Sequence, residues 1–242
     1  KDGIIFTGLA LVVYHIYYGL KRDKFSLAGI LTILVGLLLV LALRNFLIIP
    51  VLPALFAWLL AGKLKKRPLV IFSTVYVVFI ALFFAAKFIH PLLNFPEEVV
   101  SRQEAFLKLG GGSAVHVNKL EPTVTSFAFN LPQAFTLSVI RPYPSDVRHL
   151  LSLAAALEIN FLLLLFVIFL FWRRRGRVLS PFLLFCLFFS FSVLMMIGYS
   201  VNILGAIVRY RSIVLSLLVI PMVALTDWSK ISRLLLSNIE KK

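Results

Sequence analysis

Seven apolar runs, roughly 3–20, 25–43, 46–62, 68–90, 150–172, 178–200 and 205–226, occupy most of the chain and are separated by short polar stretches. A helix needs about 20 such residues to cross about 30 Å of hydrocarbon. In lipid, only a helix or a closed barrel satisfies its own backbone groups. The runs therefore read as membrane spans. Composition agrees, since 61% of the 242 residues are hydrophobic, 14% are charged and mean hydropathy is +1.00. A soluble domain has about 25% charged residues, because it needs a polar skin. The expected fold is an all-α polytopic transmembrane helix bundle of about seven spans. Residues 1–90 hold spans 1–4, 91–149 form an extracytoplasmic loop with short interfacial helices, and 150–242 hold spans 5–7 and a tail.

Charge orients the spans. Seven crossings put "KRDK" (21–24), "KLKKR" (63–67), "RRRGR" (173–177) and the tail from Asp227 on one side. That side collects 15 of the 25 Lys and Arg against three acids, Asp23, Asp227 and Glu240. Basic residues flank the cytoplasmic ends of spans, so this side and the C-terminus are expected in the cytoplasm of a bacterial inner membrane. The third run is interrupted by Pro50 and Pro53, which neighbouring helices can accommodate. The net charge of +15 does not point to nucleic acid, because topology already accounts for the clusters. Cys186 is the only cysteine, which excludes an intramolecular disulfide. The opening "KDGIIF" has no initiator Met and no cleavable signal, and reads as part of a longer protein.

The loop is too long to be a mere connection. "EEVVSRQEAFLKL" (97–109) has the pattern of an amphipathic helix lying in the interface plane, and "GGGS" (110–113) that of a flexible break. "NLPQAFTLSVI" (130–140) reads as a short apolar helix with Pro132 near its first turn. Ser145 or Asp146 is a natural N-cap for the fifth span.

Arg209 and Arg211 lie inside the last span, near its outer end, where they oppose the charge bias. Residues two apart on a helix point about 200° apart, so one is expected to face the interior and the other lipid phosphate. An interior arginine at membrane depth is costly, and its planar fork suits diphosphate or carboxylate. Arg141, Arg148 and His149 flank the turn into the fifth span and belong to the same side, as do Arg44, Asn45 and His90. Glu158 is the one carboxylate well inside a span. It reads either as functional or as a salt-bridge partner of Lys87. The candidate substrate-binding set is Arg209, Arg211, Arg141, Arg148, His149 and Glu158, in an outward-opening cavity where Asp146 and Glu158 offset the positive charge. No spacing suggests a metal, and no phosphate loop or dinucleotide fingerprint calls for a cofactor.

"RYRSIVLSLLVIP" (209–221) resembles the late arginine-rich helix of membrane glycosyltransferases of the GT-C type. Together with "RPYPSDVRHLLSLAAALE" (141–158) and "KDGIIF", it also resembles multi-span proteins of envelope-polysaccharide clusters, including O-antigen-polymerase-like ones. The resemblance covers the chain from Arg141 onward and a few residues at its start. It implies a lipid-linked diphosphate sugar handled by outer-face arginines. The GT-C type carries catalytic acids in a first outer loop that has no counterpart here, so the likeness is to a C-terminal half. Three functions follow as expectations: an envelope glycosyltransferase or polymerase, a non-enzymatic subunit of a membrane complex, and a transporter or flippase with Glu158 as relay. The expected partners are membrane lipids, lipid-linked glycan, and other membrane subunits or a missing N-terminal half.

Overall fold

The computed structural model describes residues 1–64, 66–110, 112–147, 150–174 and 179–239, with side chains described through Arg233. Its regular elements are helices: α1 (Asp2–Arg22), α2 (Leu27–Leu43), α3 (Ile48–Leu64), α4 (Pro68–Ala85), α5 (Phe95–Leu109), α6 (Val124–Phe135), α7 (Leu150–Phe171), α8 (Pro181–Ser200), α9 (Leu204–Leu225) and α10 (Trp228–Ile239). Two isolated β-bridges are present among the described residues. Six helices are long and apolar enough to cross a membrane: Asp2–Arg22, Asn45–Leu64, Pro68–Phe88, Leu150–Phe171, Pro181–Ser200 and Leu204–Leu225. The second apolar run forms α2, whose 17 residues rise about 25 Å.

Local chemistry sets the helix ends. Asp2 lies in the first turn of α1, and Lys21 and Arg22 in the last, each opposite in sign to the helix dipole there. Asp23 closes α1 in the left-handed region at φ 53°. Ser26 then caps α2, its Oγ accepting from the Gly29 N–H at 3.1 Å. The two helices pack through Gly8 and Gly36, where an added Cβ on Gly36 would lie 2.7 Å from the Gly8 carbonyl oxygen. Small residues permit this approach between apolar helices.

The centre of the bundle is α8, which packs against α3, α4, α5, α6 and α9. It is apolar on every face, as a helix surrounded by other helices must be. Leu184, Phe185, Cys186, Phe189, Val193, Leu194 and Ile197 are all buried. Trp58 of α3 stacks on Phe185 with ring centroids 4.5 Å apart. The prolines do not break α3. Pro50 falls in its first turn, where its missing N–H is not needed, and only Pro53 lies inside.

Helices α1–α4 and α7–α9 alternate in direction. Arg44 after α2 meets Asp2 in the first turn of α1. Leu20, Lys21, Gly62, Ser180 and Ala224 line one cleft at the opposite end. There the Arg174 N–H donates to the Leu225 carbonyl at 2.9 Å, and the Asp227 N–H to the Trp172 carbonyl at 2.8 Å. The described parts of the basic turns therefore share one end, and the loop occupies the other. Lys65 and Arg175–Arg177 lie outside the described residues.

The loop folds back on the bundle. α5 packs on α4 and α8, and α6 on α8. Buried Gln103 of α5 donates to the Asn118 carbonyl at 3.1 Å and accepts from the Leu120 N–H at 2.8 Å. Ser113, expected in a flexible break, is held to the start of α9, its carbonyl accepting from the Leu204 N–H at 3.0 Å. The helix expected from Asn130 begins earlier, because Thr123 caps it at the Ser126 N–H. Pro132 is consequently internal. The helix continues as a π turn over Thr136–Ile140. The Asp146 carboxylate accepts from the Tyr143 N–H at 2.9 Å, and the two residues just before α7, where its expected cap would act, lie outside the described residues.

Candidate anion site at the loop end of the bundle

Five arginines from four parts of the chain gather at the loop end in two groups. The first is built on Asp2. Its carboxylate accepts from Arg44 Nη2 and from Arg209 Nε at 2.5 Å. The Arg44 guanidinium lies 3.8 Å over the Tyr210 ring, a cation–π arrangement. Arg102 of α5 reaches the same region, donating to Asn45 Oδ1 at 3.0 Å and lying 4.4 Å over the Phe46 ring. Burial lowers the Arg102 pKa from its ordinary value; Glu98 opposes this and the nearby Arg44 charge adds to it.

Arg44 sits here because α2 ends at Leu43 and the next turn begins at Asn45. Phe46 and Tyr210 then face each other with ring centroids 6.0 Å apart. The aromatic wall supports two guanidinium planes, and Arg102 also lies 3.9 Å from the Glu98 carboxylate. Arg44 Nη1 is buried and has no partner among the described residues.

The second group is built on Arg211. The structure turns Arg211 inward, 1% exposed, and Arg209 outward, with its side chain 60% exposed. Two-residue spacing on one helix requires such a division. Arg211 Nη1 donates to the Ser138 carbonyl at 3.3 Å and to the Arg141 carbonyl at 3.0 Å. These are carbonyls that the π turn and its end leave open. Arg211 Nε and Nη2 are buried without partners among the described residues. Glu158 of α7 makes no hydrogen bond or ion pair with Arg211 among the described contacts.

Arg141 joins Arg211 through its backbone. Its own side chain lies 3.6 Å from Asp146 and 5.1 Å from the Tyr143 ring centre, with Nη1 buried and unpartnered among the described residues. Arg148 and His149 lie outside the described residues. Lys87 lies over the Phe88 ring and forms no described ion pair with Glu158. His90 Nδ1 accepts from the Leu92 N–H at 3.2 Å, closing a local turn. Among the described residues, no three His, Cys, Asp or Glu side chains are grouped to hold a metal.

Arg211 is buried, and its Nη1 meets the two loop carbonyls within the bundle. The residues that sequence reasoning left out are Asp2, Arg102, Phe46 and Tyr210. Asp2 had a readable signal. With an odd number of crossings, the start of the first span and the start of the last lie on the same side. An acid at one then meets a base at the other. Comparison with protein-family models, with curated proteins and with solved structures finds no match for this chain.

Proposed function

We propose that this chain is a multi-pass protein of a bacterial cytoplasmic membrane, crossing seven times with its loop outside and its C-terminus inside. In this reading it takes part in envelope glycan assembly, handling a lipid-linked diphosphate sugar as a polymerase or glycosyltransferase. The observation that carries it is Arg44, held between Asp2 and Tyr210 with a buried donor unused. A buried polar group without a partner is costly, and a phosphate oxygen would satisfy it. Arg209 is exposed beside it, and Arg102 adds a third guanidinium. Such a cluster, fixed before the substrate arrives, favours charge building up on a departing diphosphate. Arg211 and Arg141 hold the loop in place, and Asp146 offsets the charge of Arg141.

A second reading, a non-enzymatic subunit, is supported by Arg209 pairing with Asp2 and by Arg211 capping two carbonyls. A transporter with Glu158 as relay would call for a broken helix around it, and α7 is unbroken from Leu150 to Phe171.

The test is glycan production in cells carrying Arg44→Lys or Arg209→Lys at normal protein level. Lysine keeps the charge and loses the fork, so the enzyme reading expects glycan to fall with both. Unchanged glycan with both variants would leave the subunit reading in its place.

A further inference from the structure

The registers of α1 and α9 extend the Arg209 site into the wall of the bundle. Both helices start at the loop end, where Asp2 meets Arg209, and they run side by side. On α1, Phe6, Val13 and Tyr17 follow Asp2 on one face; on α9, Ile213, Leu217 and Ile220 follow Arg209 at the same helical spacing. These six residues line a groove of about 510 Å³ between the helices. Sites for small molecules commonly enclose about 300–1,000 Å³.

We propose that this groove seats the hydrocarbon chain of a lipid bearing a terminal phosphate monoester, whose phosphate takes Arg209 and Arg44 from Asp2. This rests on the reading that the loop end handles a phosphate-bearing lipid. It adds where the chain lies and which headgroup is preferred. The walls between the two helices are mainly apolar, so the groove suits one hydrocarbon tail. Its head is basic. Arg209 is open to an incoming anion, its side chain being 60% exposed, while Arg44 is 10% exposed and keeps one buried donor unpartnered.

Charge decides between headgroups. Asp2 offers one negative charge to two guanidinium groups. A phosphate monoester brings about −1.5 to −2 at neutral pH and three strong acceptor oxygens, which matches two forks. A phosphodiester brings one charge, and in a membrane phospholipid it comes with two chains. The groove and the arginine pair together favour the monoester on a single chain. Asp2 then acts as the occupant of the site in the lipid-free protein, keeping the arginines oriented until phosphate replaces it.

The experiment measures equilibrium binding of labelled hexadecyl phosphate to the purified protein in phosphatidylcholine nanodiscs, with empty nanodiscs subtracted. Saturable binding at one per chain is expected. Arg209→Gln should weaken it about tenfold or more, as loss of a charge-assisted fork does. Ile220→Trp, at an exposed position that narrows the groove, should weaken it as well, and Asp2→Asn should tighten it. Phosphatidylglycerol and inorganic phosphate should compete poorly. Non-saturable uptake, or binding that neither Arg209→Gln nor Ile220→Trp changes, would mean ordinary surrounding lipid and overturn the proposal. Equal competition by inorganic phosphate would remove the groove from the site, and equal competition by phosphatidylglycerol would remove the monoester preference. Binding is read apart from glycan production. Arg209-dependent glycan with no selective binding would reject this groove and keep the proposed function, while selective binding with unaltered glycan would do the reverse.

Discussion

Gly198 of α8 and Ala134 of α6 lie so close that a methyl group on Gly198 would come within 2.0 Å of the Ala134 carbonyl oxygen. The same carbonyl accepts from Ser138 Oγ at 2.9 Å, and the Ser138 carbonyl accepts in turn from Arg211. The seat of α6 on α8 thus fixes where the acceptors for Arg211 stand.

Gly198→Ala should therefore displace α6 rather than be absorbed, because the obstacle is backbone and not a mobile side-chain tip. Overpacking of this kind typically costs about 1–3 kcal/mol or more. A clear drop in the melting temperature of the detergent-purified protein is expected. A variant melting with the wild type would contradict the packing described.

The α1–α2 contact gives a ranked series. An added Cβ on Gly36 meets the Gly8 carbonyl at 2.7 Å and Val12 Cγ2 at 2.8 Å, one on Gly8 meets the Gly36 carbonyl at 3.1 Å, and one on Gly3 meets nothing within 4 Å. Thermal stability should fall in the order Gly3→Ala, Gly8→Ala, Gly36→Ala, with the first close to wild type. Equal melting of all three would show that the hairpin is not packed through these glycines.

Arg209 and Arg211 should separate by stability. Arg211→Met leaves two carbonyls without their donor, and each unsatisfied buried group costs about 1–3 kcal/mol. It should melt lower and expose the loop to limited proteolysis. Arg209→Gln, at a largely exposed position with an ion pair of the surface kind, should melt close to wild type. The reverse ranking in the same assay would exchange their structural roles.

Orientation can be read by labelling. Cys186 is fully buried and should stay silent, so single cysteines can be added to the natural sequence. His116→Cys in the loop should react with an impermeant thiol reagent applied to intact cells, whereas Lys66→Cys and Arg174→Cys should react only after lysis. The opposite pattern would invert the topology.

Much of the architecture was legible because lipid leaves a chain few choices. The apolar runs marked the helices, and the basic clusters "KRDK" and "KLKKR" marked which turns share an end. The amphipathic pattern of 97–109 identified α5 to within a few residues. Arg211 facing inward was half legible: spacing required that the two arginines diverge but not which one turned in. The choice follows from α6, whose π turn presents the Ser138 and Arg141 carbonyls on that side. Nothing local in "TLSVI" announces such a turn. The early start of α6 was missed because Thr123 is an unremarkable cap until the chain after it is seen to be helical. Arg102 is not legible as part of the site, since its contact with Asn45 joins residues 57 positions apart.

Asp2 and Arg209 are 207 positions apart, and synthesis delivers them in that order. When α1 first enters the membrane its acid has no Arg209 to meet, and Arg44 arrives next with α2. Arg209 follows only after α8 has left the ribosome. The α1–α2 hairpin therefore waits, with its acid served by one arginine alone, until α9 has been made. The contact that completes Asp2 reports that α9 has found its place beside α1, which makes it a mark of assembly as well as a part of the site.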